Sequence, residues 1–144
     1  MPAGDQIRYR AGYKYHLKAD YRVQLRFIRP THDIESEFIT LNRDGWLTIW
    51  HGYAWDGPSG PTIDNLFGDR SGMRGSLVHD ALYQLMRDGW LSISDRHKAD
   101  REFFIILLED KMNPSRATAW FAGVRIGAAG SAKASGEKPL MFAP

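Results

Sequence analysis

The amino-acid sequence predicts one α+β domain, in which an N-terminal antiparallel β-sheet built from hairpins precedes an antiparallel helix pair and a third helix. Three observations predict it. Residues 7–28 alternate apolar and polar side chains, the period of half-buried strands. From Leu77 onward, apolar residues recur at three- and four-residue spacing, the period of a helix face. The 144 residues, 43% of them hydrophobic, suffice for a single core.

Each element has its own local cause. Tyr13-Lys14-Tyr15-His16-Leu17 and Tyr21-Arg22-Val23-Gln24-Leu25-Arg26-Phe27 alternate as strands do. Residues 38–53 read as a hairpin, with Phe38 to Leu41 and Trp46 to Trp50 flanking Asn42-Arg43-Asp44-Gly45, whose Asp-Gly suits the positive backbone dihedrals of a tight turn. Between Trp55 and Gly75 glycines and prolines break any period, leaving a long loop of the kind that carries function. Leu77, Val78, Ala81, Leu82, Leu85 and Met86 then form a helical stripe, which Asp88-Gly89 stops. A second helix begins near Ser92 or Ser94 and runs to about Met112, with Phe103, Phe104, Leu107 and Leu108 as its apolar face. A third spans roughly 116–129 and carries Trp120, Phe121, Val124 and Ile126. The expected domain is therefore 1–130, with the sheet at about 7–53, the loop at 54–75 and the helices at about 75–129. Residues 131–144 read as an extended or disordered tail.

Composition removes several function classes. No cysteine is present, which excludes disulfides, thiolate zinc sites and cysteine nucleophiles. Lysine and arginine number 19 against 17 acidic residues, and the two signs alternate along the chain, so no nucleic-acid partner is expected. The slight basic excess favours an anionic membrane surface. No apolar run approaches the ~18 residues that cross a bilayer, and the polar start lacks the pattern of a secretory signal, so synthesis in the cytoplasm is expected.

The residues that point to chemistry lie on the first two helices. Asp100 precedes Phe103, Phe104 and Leu107 by three, four and seven positions, which places a carboxylate on the face to be buried, where it requires a partner. His79 is that partner if the helices pack antiparallel. A carboxylate on one imidazole nitrogen fixes the tautomer and leaves the other nitrogen as a general base. Asp80, turned about 100° around the helix, faces elsewhere, and with the carbonyls of the loop around Asp56, Gly57 and Gly60 it makes a candidate site for a hard cation such as Ca²⁺. His97 reads as a solvated first-turn residue, and His16, His32 and His51 show no metal spacing. Most of the five tryptophans read as core.

Two resemblances follow from these residues. Residues 75–104, with His79, Asp80, Tyr83, Asp100 and Phe103, resemble the helix pair of the phospholipase A2 superfamily in its cysteine-free parvoviral capsid form. That resemblance implies that His79 activates water and Asp100 orients it. It also implies that Asp80 holds calcium, that calcium with a loop amide stabilises an ester oxyanion, and that Tyr83 and Phe103 support the pair. Over about 13–128, the chain is similar to an uncharacterised phage and bacterial family, domain-of-unknown-function family 1353. The similarity rests on Tyr13-Lys14-Tyr15, Gly52-Tyr53-Ala54-Trp55-Asp56-Gly57-Pro58-Ser59, His79-Asp80-Ala81-Leu82-Tyr83, Ala99-Asp100-Arg101-Glu102-Phe103 and Val124-Arg125-Ile126-Gly127.

Two functions are carried forward. One is calcium-assisted lipid or ester hydrolysis by a bacteriophage protein, in envelope penetration or lysis, with a phospholipid surface as partner. The other is a non-catalytic virion protein, structural or accessory, that retains the fold as a scaffold and contacts other virion proteins. The cytoplasm of an infected host is the expected site of synthesis, with the virion as one destination. A metal-dependent His-Asp phosphohydrolase stands behind both, because the other histidines lack helical ligand spacing.

Overall fold

The computed structural model describes residues 7–10, 15–55, 71–127 and 140–143. Among the described residues seven strands precede the helices and one strand follows them, so the fold is α+β. Strand β1 is Ile7–Arg10, β2 Tyr15–His16, β3 Tyr21–Gln24, β4 Ile34–Glu35, β5 Ile39–Leu41, β6 Trp46–Ile49 and β7 Ala54–Trp55. Helix α1 is Met73–Arg87, α2 Arg96–Glu109 and α3 Pro114–Gly127, and β8 is Leu140–Ala143.

The strands form three antiparallel sheets where local alternation suggested one. A four-stranded sheet runs β3-β6-β5-β4, β2 pairs with β7, and β1 pairs with β8. The last pair joins the two ends of the chain, with Ile7 opposite Ala143. A period-two pattern identifies a strand but not a partner more than a hundred residues away, which is why β8 fell within the expected tail.

The central hairpin pairs Leu41 with Leu47 and Ile39 with Ile49. Its turn is a three-residue loop, Arg43 to Gly45, closed by bonds between Asn42 and Trp46 and carrying a single positive φ, +86° at Gly45. Asn42 Oδ1 accepts from the amides of Asp44 and Trp46, so asparagine performs the turn chemistry expected of Asp44. The inward residues Ile34, Ile39, Leu41, Leu47 and Ile49 join Leu25 and Ile28 in one core with Leu77, Val78, Ala81, Leu82 and Leu85 of α1.

Helix α1 stops in a Schellman motif. Gly89, at φ +83°, donates to the Met86 carbonyl, and the Trp90 amide reaches back to Leu85 at 2.8 Å. Ser92 caps a single 3₁₀ turn, Ile93–Asp95, rather than α2 itself. Helix α2 then returns antiparallel to α1, since Arg74 near the start of α1 bonds Glu109 and Asp110 at the end of α2 and the Tyr21 hydroxyl of β3. Gly75 lets the helices approach closely: a Cβ there would lie 3.0 Å from Leu107 and 3.2 Å from Phe103. Phe103 and Leu107 also pack on α3 through Ala117 and Trp120. Ile126, expected on the apolar face of α3, is 85% exposed.

A buried acid ties α2 to the sheet side. Glu102 Oε1 accepts the Arg26 amide at 3.0 Å and Oε2 the Phe27 amide at 2.7 Å. Burial pushes the Glu102 carboxyl above its ordinary value, and the amides that bond it offset part of that rise. Glu102→Gln turns one acceptor into an amino group facing an amide donor. The expected loss is about 1–3 kcal/mol, read as a lower denaturant midpoint with an unchanged slope.

Candidate functional site

The helix crossing places its polar residues together. His79 and Tyr83, four residues apart, share one face of α1, and Asp100 meets that face from α2. His79 Nε2 lies 2.7 Å from Asp100 Oδ1, and the Tyr83 hydroxyl donates to the same oxygen at 2.6 Å. Arg125, in the last turn of α3, donates from Nη1 to the other oxygen, Oδ2, at 2.7 Å. Three helices thus converge on one carboxylate.

Burial divides the roles. The Asp100 side chain is 0% exposed, whereas that of His79 is 12% exposed. The histidine ring packs between Tyr83, at 4.2 Å between centroids, and Phe103, at 4.9 Å, which fixes its plane. With Nε2–H donated to Asp100, the lone pair of a neutral imidazole sits on Nδ1, and Nδ1 has no hydrogen-bond partner among the described residues. An oriented base with one free nitrogen is what the arrangement supplies.

Electrostatics keep Asp100 ionised. Burial works to raise its carboxyl, but the bonds from His79, Tyr83 and Arg125 outweigh burial and hold it below the ordinary carboxylate range. Burial and the Asp100 charge push the Tyr83 phenol upward, against the nearby Arg96, so it stays a protonated donor. Arg96 also caps α3, donating to the Arg125 carbonyl from both terminal nitrogens at 3.3 and 3.2 Å.

Asp80 faces away from this cluster, as its position on the helix requires. Its Oδ2 accepts the Tyr53 hydroxyl at 2.6 Å, which links α1 to the segment leading into β7. The other expected metal ligands, Asp56, Gly57 and Gly60, lie outside the described residues. Calcium takes six to eight oxygens, and no group of three or more His, Asp or Glu residues suited to a metal occurs among the described residues.

Of the expected site, His79, Asp100, Tyr83 and Phe103 come together, and Asp80 stands apart. Arg125, Arg96 and Tyr53 were not singled out from the sequence. The available signal for Arg125 was a cation between Val124 and Ile126, two residues beyond an otherwise uncharged helical run from Ala117 to Gly123. His97 is exposed, as expected of a first-turn residue, and among the tryptophans Trp55 and Trp120 are core whereas Trp50 and Trp90 are exposed.

Comparison of the chain with protein-family models, with curated proteins and with solved structures finds no match. No helix among the described residues is long and apolar enough to cross a membrane.

Asp100→Ala strands the buried hydroxyl of Tyr83 and the donor on His79, and should cost about 1–3 kcal/mol. The carboxyl titrates lower in the folded than in the unfolded chain, so its contribution is complete at neutral pH and drains away as pH falls below about 4. Denaturation curves for wild type and Asp100→Ala should accordingly differ at pH 7 and converge toward pH 2.

Proposed function

We propose that the protein is a hydrolase of ester bonds, with His79 as general base and Asp100 as the residue that orients it. The supporting observation is the single hydrogen bond from His79 Nε2 to Asp100 at 2.7 Å, on a ring whose Nδ1 is unengaged among the described residues. Nδ1 takes a proton from water as the water oxygen attacks the ester carbonyl carbon. The resulting imidazolium is stabilised by Asp100 and returns its proton to the departing alkoxide, which restores the neutral base. Tyr83 and Arg125 hold Asp100 rather than touch substrate. The resemblance to the phospholipase A2 superfamily makes a phospholipid the substrate class, and the resemblance to a phage family makes envelope penetration or lysis the setting.

Calcium enters this proposal only through Asp80, whose carboxylate is the one candidate ligand among the described residues. Its binding is read separately, by calorimetric titration of wild type and Asp80→Asn.

The second reading is a phage virion protein that keeps the fold as a scaffold. A specific observation favours it: Asp80 Oδ2 already accepts the Tyr53 hydroxyl, so this carboxylate serves to join α1 to the sheet side. The sequence adds that Pro58 and Pro61 lack amide donors in the loop where an oxyanion needs them.

Fatty-acid release from anionic and zwitterionic liposomes, with and without calcium, separates the two. The hydrolase reading expects release by wild type and a fall of about 10²- to 10⁴-fold in His79→Gln with the fold retained. Absence of release by wild type under every condition would leave the scaffold reading.

A further inference from the structure

A concave surface lies away from the dyad, with neither His79 nor Asp100 in its lining. The loop from Arg29 to Ile34 and the connection from Trp90 to Asp95 enclose a cleft of about 530 Å³, within the roughly 300–1,000 Å³ of small-molecule sites. We propose that this cleft binds a neutral saccharide, with Trp90 as its stacking platform and Asp33 and Asp95 as acceptors for sugar hydroxyls. It rests on none of the residues assigned to hydrolysis.

Trp90 is 49% exposed although its backbone is fixed. Its amide and that of Leu91 both bond the Leu85 carbonyl, at 2.8 and 3.1 Å, in the motif that ends α1. The backbone of Trp90 is therefore held at the cleft by a rigid corner, and its indole N–H is unbonded among the described residues. Solitary exposed apolar residues are ordinary. What distinguishes Trp90 is the set of hydrogen-bonding groups opposite it.

Those groups are mostly acceptors. Asp95 makes no capping bond to α2, and its nearest cation, Lys98, stands at 3.7 Å. Asp33 uses Oδ1 for the Arg43 amide at 3.0 Å, and its Oδ2 has no partner among the described residues. Thr31, Ser92 and His32 complete the polar lining. Arg29 is turned inward to the Leu25 and Ile28 carbonyls, so its guanidinium is engaged by the backbone.

This chemistry selects its ligand. An anion meets two carboxylates that already engage the neighbouring cations, Arg43 with Asp33 and Lys98 with Asp95, each at 3.7 Å, so it is disfavoured. A metal ion is poorly served, because Asp33 and Asp95 belong to no metal-suited group among the described residues. A pyranose brings several hydroxyl donors for the carboxylates and a face of C–H bonds for the negatively polarised face of the indole.

The test uses the full chain labelled with ¹⁵N and titrated in separate arms with maltotriose, cellotriose, chitotriose and inorganic phosphate. The Trp90 indole resonance is identified by its loss in Trp90→Ala, and circular dichroism confirms that each variant is folded. At least one trisaccharide should shift that resonance together with backbone amides of 31–33 and 92–95. Trp90→Ala should weaken the affinity about tenfold, as loss of one aromatic contact does, while Trp90→Phe keeps most of it. The proposal is overturned if no trisaccharide moves these resonances, if phosphate alone moves them, or if Trp90→Ala binds the trisaccharide as wild type does.

Discussion

The arrangement of the three helices depends on one buried negative charge. A carboxylate removed from water loses several kcal/mol of hydration unless bonds replace it. Asp100 recovers that loss from His79 and Tyr83 on α1 and from Arg125 on α3, none of which is next to it in sequence. Such bonds have directions, so they admit one rotation of α1 against α2 and one axial position of α3. Apolar contacts alone tolerate small slips. Gly75 permits the helices to come near enough for the bonds to form, and the Arg96 guanidinium on the Arg125 carbonyl keeps the end of α3 in place.

The sheet reinforces the same helices from their other faces. Tyr53 bonds Asp80, Tyr21 bonds Arg74, and Glu102 accepts two amides of the segment after β3. The first two contacts hold α1 and the third holds α2. Consecutive residues on α1 are thus divided by the helical turn of about 100°, with His79 serving the interhelical cluster and Asp80 serving the sheet. Packing of the apolar stripe decides which side each faces.

The sequence made the helix pair and its dyad legible because both rest on local periodicity. His79, Tyr83 and Asp100 could be placed on facing sides from spacing alone, since a buried carboxylate on an apolar stripe demands a donor. Arg125 could not be placed, because its role depends on where a third helix ends after a turn at Asn113 and Pro114. The strands were legible as strands, yet the pairing of β1 with β8 is set by chain closure and leaves no mark in either segment. The apolar face of α3 misled at Ile126, which sits past the point where the helix leaves the core.

Everything that Asp100 does for stability, it does whether or not the protein is an enzyme. Its bonds to Nε2, to the Tyr83 hydroxyl and to Arg125 satisfy a buried network, and a scaffold needs them as much as a catalyst does. The lowered titration of this carboxyl is therefore evidence of its bonds before it is evidence of chemistry. The atom on which the two readings part is Nδ1 of His79. A general base requires that nitrogen free and that plane fixed, whereas a scaffold uses the ring's packing between Tyr83 and Phe103 and is indifferent to the nitrogen. The cost of holding the ring this way is small if Nδ1 meets water, and water is the reactant that hydrolysis needs there.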